Sequence, residues 1–181
     1  MSPLRSSSLV LAFFISCIAI PTCAHAQERR SPNARAVVPD SCPITKPGDR
    51  PFTPPHKYRR YLNKASFWYG TDRLWIALPT SGVWAGLSHY EPGDPTFRQK
   101  IAWYRAGLEA DDKISTPLKI TGRRLEAPAP ALLSDPFTGV STMMDGIAFF
   151  MSGVNFPTHG CWEVTGRYQR DELTFVIWIA P

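Results

Sequence analysis

Four cysteines in 181 residues are too few for a small disulfide-dense scaffold. Long hydrophobic runs are missing as well. A membrane-spanning helix needs about 20 apolar residues, and the apolar stretch Leu9–Ile20 has twelve. No later stretch is longer, so no span is expected in the rest of the chain. There is no Gly-rich phosphate loop, no dinucleotide fingerprint and no Gly-x-Ser-x-Gly nucleophile elbow. His56, His89 and His159 stand at no metal-ligand spacing from one another or from cysteine. No sustained 3.6-residue apolar period marks a long helix, and no internal repeat is visible. These absences argue against nucleotide-dependent chemistry, serine-hydrolase chemistry of the elbow type, zinc sites and helical bundles. No cofactor is expected.

What is present begins with a secretory signal. Arg5 lies in a polar start, Leu9–Ile20 is the apolar core, and Pro21 breaks it. Ala24-His25-Ala26 supplies the small residues that a signal peptidase reads. Residues 1–26 are therefore read as cleaved, and the protein as exported, to the periplasm or beyond. Lipidation at Cys17 or Cys23 fits less well. Threonine precedes Cys23, and the apolar run before Cys17 is short. Cleavage after Ala26 also leaves one pair, Cys42 and Cys161. In an oxidising compartment such a pair is expected to form a disulfide.

Removing residues 1–26 takes away Arg5 and no acid, leaving 19 basic against 15 acidic residues. Arg29-Arg30, Arg59-Arg60 and Arg123-Arg124 are scattered pairs rather than a dense stripe. With export, this argues against a nucleic-acid partner.

Residues 27–65 form a proline-rich arm. Pro32, Pro39, Pro43, Pro47, Pro51, Pro54 and Pro55 disfavour both helix and central strand. One or two helical turns are expected over Tyr58–Lys64. From Ser66 the composition turns to short aromatic and β-branched runs between Gly, Pro, Asp and Ser clusters, as in a many-stranded β domain. Strands are expected over Leu74–Leu78, Val83–Leu87, Arg98–Tyr104, Leu118–Arg124, Gly146–Met151, Cys161–Tyr168 and Leu173–Ile179. The last two read as a hairpin. Its alternation puts Trp162 and Val164 on one face and Cys161 on the other, towards a tethered arm. The expected fold is an immunoglobulin-like antiparallel β-sandwich over residues 66–181, with a small β-barrel as runner-up.

Gly160-Cys161-Trp162-Glu163-Val164-Thr165-Gly166, followed by Leu173-Thr174-Phe175-Val176, resembles the end of a family of uncharacterised exported bacterial proteins. The resemblance extends to Leu74-Trp75 with Ser81-Gly82, to Trp103-Tyr104-Arg105, and to Ile120–Leu125. Where the commoner pattern has two tryptophans before the arginine, this chain has Trp103-Tyr104. The resemblance implies the fold and export, and no activity.

As chemistry, the polar cluster His89-Tyr90-Glu91 with Asp94 reads as a surface loop. Cys161 near His159 is a weak thiol-nucleophile pattern that a disulfide would consume. A carboxylate pair for glycoside hydrolysis cannot be picked from the twelve acids after Ser66. Aromatic residues crowd Phe67–Tyr104. Trp68, Tyr69 and Trp84 flank turn residues and are the candidate ligand contacts, although core packing competes for each. The expected function is therefore a non-catalytic interaction module of the cell envelope, with a protein or a glycan as partner. A carbohydrate-binding module and a small extracytoplasmic hydrolase are the alternatives.

Overall fold

A computed structural model describes residues 37–113, 116–135, 140–143 and 145–181. Residues 1–26, expected to be a signal segment, and the start of the arm lie outside the described residues. Among those described there is one short helix, α1 (His56–Arg59), and ten strands. They are β1 (Ser66–Gly70), β2 (Leu74–Pro79), β3 (Val83–Trp84), β4 (Phe97–Arg105) and β5 (Lys119–Arg124). The rest are β6 (Leu133–Ser134), β7 (Ser141–Thr142), β8 (Ala148–Phe156), β9 (Gly160–Tyr168) and β10 (Asp171–Ile179).

The strands form a β-sandwich. One sheet runs β1-β2-β4-β8-β6, with β7 also on β8, and the other runs β3-β10-β9-β5. Every pairing is antiparallel except β3 with β10. Alternation explains the core. Leu74, Ile76 and Leu78 of β2, Ile101 and Trp103 of β4, and Phe150, Val154 and Phe156 of β8 point to one side. They meet Trp162 and Val164 of β9 and Phe175 and Ile177 of β10. Ser152 is a polar residue in this core, and its hydroxyl accepts the Trp103 indole N–H at 3.1 Å. The indole is thus buried with its donor paired, as a low-dielectric interior requires.

All seven expected strands are present. Two ends differ because of glycine. Gly146, at φ 80°, sits in a turn, so β8 starts at Ala148 and runs on to Phe156. Gly86, at φ 66°, follows β3 and stops it after Trp84. Strands β1, β6 and β7 were not expected. The helical turn falls at His56–Arg59, just after Pro54-Pro55.

The arm is a strap. Cys42 is bonded to Cys161 on the outer face of β9, where Cys161 is wholly buried. Two residues on, Ile44 lies against Gly82, where any Cβ would strike it and where φ is 66°. Thr45 then pairs with β10: its N–H donates to the Val176 carbonyl at 2.9 Å, and its hydroxyl accepts the Val176 N–H at 2.8 Å. Further along, Phe52 and α1 cover the outer face of the other sheet. There Tyr58, Trp68, Trp75, Tyr104, Ile147 and Phe149 form a second buried cluster. Tyr58 meets Trp75 and Tyr104 edge-on at 5.0 and 5.6 Å.

Two outcomes follow from this packing. A Cβ at Gly166 would run into the Trp103 indole, so Gly166→Ala should cost about 1–3 kcal/mol by overpacking. A shift in the urea midpoint measures it, and an unchanged midpoint would mean that Trp103 repacks freely. The Cys42–Cys161 bond spans 119 residues. The double serine variant should lose up to about 5 kcal/mol on the chain-entropy account, read from the same unfolding curves.

Candidate functional site

Strand β1 is the edge of its sheet. Its hydrogen bonds to β2 alternate. At the two ends, the Thr80 N–H donates to the Ala65 carbonyl at 2.8 Å, and the Thr71 N–H to the Leu74 carbonyl at 2.9 Å. In an antiparallel ladder of this register, Phe67 and Tyr69 turn their backbone groups to β2. Trp68 and Gly70 turn theirs to the open side.

That side faces the arm across a recess of about 450 Å³, within the usual range of ligand pockets, about 300–1,000 Å³. Lys46, Pro47, Gly48, Arg50, Pro51 and Phe52 line one wall, and Phe67–Gly70 line the other. The arm does not complete the ladder there. Pro47 and Pro51 have no N–H, and among the described residues no backbone bond joins 46–52 to β1. Gly70 has φ 152°, and a Cβ on it would press into Trp75 and the Leu74 carbonyl. That end of the edge therefore carries no side chain to screen it.

The sequence candidates separate here. Trp68 and Tyr69 come together in the recess wall, and Trp84 does not. All three stand in strands and pack. Trp68 is 6% exposed and meets Tyr104 edge-on at 5.3 Å. Its indole N–H is buried with no acceptor among the described residues, as is that of Trp75. Tyr69 is half-buried, and its hydroxyl donates to the Thr174 carbonyl of the opposite sheet at 2.9 Å. Trp84 is half-buried against Phe156 and Phe175, with ring centres 6.0 and 5.9 Å away. Among the described residues the exposed aromatic ring is Tyr90, at 60%, with the Arg98 guanidinium 4.0 Å over it.

Sequence reasoning missed Lys46, Arg50 and Phe52. The signal was there in the charge of the arm. Residues 27–65 hold nine basic and three acidic residues, whereas 66–181 hold ten and twelve. The recess lining includes no carboxylate. Among the described residues neither Lys46 nor Arg50 has an ion-pair partner. Lys57 of α1 pairs with Glu109, and Arg60, just past its end, with Asp145.

The other polar groups are arranged differently. Asp135, Glu126, Glu163, Asp171 and Glu172 each face an arginine rather than another acid. Glu126 takes the Cys161 N–H and the Arg124 Nε–H, both at 2.9 Å. Burial pushes its carboxyl up, but these donors outweigh burial and hold it below the usual range. Asp94 is likewise held low, chiefly by the Thr96 hydroxyl and N–H. His89 and His159 flank Phe97, with ring centres 5.1 and 3.9 Å from it. The His89 Nδ1 lies 2.8 Å from the Thr96 carbonyl, so Nδ1 carries the proton. Among the described residues no three His, Cys, Asp or Glu side chains converge as metal ligands.

No family model, curated protein or solved structure matches this chain.

Burial lowers the pKa of His159 below its ordinary 6.5, and His89 adds to the effect. The unfolded chain then binds the proton at a higher pH than the folded one. The contribution of His159 to stability is full above its ordinary value, about pH 6.5, and is lost as the pH drops below it towards the folded pKa. His159→Gln should flatten this part of the profile, as measured by urea midpoints across a pH series. A slope equal to that of the parent protein would assign the fall to other groups.

Proposed function

We propose that this protein is an exported, non-catalytic interaction module that takes an extended segment of a partner protein along the free edge of β1. The observation that carries this reading is the outward-facing backbone of Trp68 and Gly70, opening into a recess that the arm lines without pairing to the edge. Extended peptides add to such edges through main-chain hydrogen bonds, while side-chain pockets set specificity. Edges of this kind are usually blunted or covered. Here the arm stands off and leaves room.

Export accords with the signal-like residues 1–26 and with a disulfide of the sort that persists in oxidising compartments. A non-catalytic role accords with carboxylates facing arginines and with the loss of the Cys161 thiol to the disulfide. The immunoglobulin-like reading has support in the strand order. In chain order, β2, β4, β5, β6, β8, β9 and β10 take the places of strands A to G: A-B-E-D in one sheet and G-F-C in the other. On this reading β1 is an addition beyond strand A, so the proposed site belongs to the added strand. The resemblance of the β9–β10 hairpin to that of uncharacterised exported proteins points the same way.

Amide hydrogen exchange tests the function. In the free protein, the amides of Trp68 and Gly70 should exchange faster than those of Phe67 and Tyr69. Adding a library of unstructured ten-residue peptides should slow the first pair selectively. Equal protection of all four in the free protein would overturn the reading, as would a binder, peptide or glycan, that leaves Trp68 and Gly70 unprotected.

A further inference from the structure

The wall opposite β1 says what kind of segment fits. Lys46 and Arg50 both line the recess, both are exposed, and neither has an ionic partner among the described residues. No acid lines the recess; Asp49, between them in sequence, does not contribute to the wall. This is not the general character of the surface, because the sandwich itself is slightly acidic. A second observation is independent of charge: the outward-facing backbone of Trp68 and Gly70 borders the same recess.

Resting on the strand-edge reading above, we infer that the segment taken up is an acidic one: an extended stretch of protein with aspartate or glutamate at alternate positions. Its backbone pairs with Trp68 and Gly70. Its carboxylates lie towards Lys46 and Arg50, and its alternate side chains lie over the rings of Trp68 and Phe52. A basic segment would meet two cations at close range, and like-charge juxtaposition is a strong discriminator at interfaces. The rim position of the cations also makes association fast at low salt and sensitive to ionic strength.

The test uses the full exported chain in its oxidised form and four ten-residue peptides built on alternating valine. The first three carry glutamate, glutamine or lysine at the alternate positions. The fourth is the glutamate peptide N-methylated at every second backbone nitrogen. Affinities come from fluorescence anisotropy at two salt concentrations. The glutamate peptide should bind at least about tenfold tighter than the glutamine one, with the lysine peptide weakest and the preference shrinking at high salt. Lys46→Glu with Arg50→Glu should reverse the order towards lysine, a change that a misfolded variant cannot mimic. N-methylation should abolish binding.

The failures separate. Equal binding of the glutamate and glutamine peptides, both sensitive to N-methylation, would overturn the acidic inference and leave the strand edge standing. Glutamate preference that survives N-methylation would overturn both. So would an acidic polysaccharide that displaces the peptide while leaving the Trp68 and Gly70 amides unprotected.

Discussion

The bond between Cys42 and Cys161 holds the arm against the sandwich, and much of the molecule depends on where it does so. Cys161 points out of β9, away from the main core, so the bond fastens the arm to an outer face. Two residues later the Thr45–Val176 pair lays the chain along β10. From that anchor the arm has one course, past the edge of β1 and onto the outer face of the other sheet. A proline-rich segment has too few large apolar side chains to fold alone. Tied down at one end, it loses less entropy on docking, and Phe52 and Tyr58 suffice to seat it.

What it seats upon is an aromatic face. Trp75 is fully buried and Tyr104 nearly so, although both point away from the sandwich interior. The first sheet is therefore apolar on both sides, and its outer side needs a cover. Tyr104 shows the consequence electrostatically: desolvation, with Tyr58 beside it, raises its phenol above the ordinary range. Helix α1, only four residues long, is held by this packing rather than by its own hydrogen bonds. Beside the cover runs a recess between residues 46–52 of the arm and β1, and Pro47 and Pro51 in its wall carry no N–H.

Much of the fold was legible. Period-2 alternation in Cys161–Tyr168 and Leu173–Ile179 separated core from outer residues correctly, and it placed Cys161 where a tether could meet it. Strand β1 was harder to read. Phe67, Trp68 and Tyr69 are all apolar, so alternation is invisible, and only the structure reveals that Trp68 faces one cluster and its neighbours the other. The short strands β6 and β7 have two residues each and no period to detect. The candidate site was half visible. Trp68 and Tyr69 stand out in the sequence as candidate ligand contacts with core packing competing for each, and in the structure they supply a backbone edge and a wall. Lys46 and Arg50 escaped because nothing in a chain of prolines says which strand it will pass. That is set by the disulfide, a contact between distant residues.

The length of that contact bears on how the protein is made. A chain is synthesised from its N-terminus, so Cys42 emerges 119 residues ahead of Cys161. In the interval the early thiol has no native partner, the strap hangs loose, and strands carrying Trp68, Trp75 and Tyr104 lie uncovered. β10, which supplies the Thr45 dock, comes last of all. Until the β9–β10 hairpin is complete, the outer aromatic face of the first sheet lacks its tethered cover.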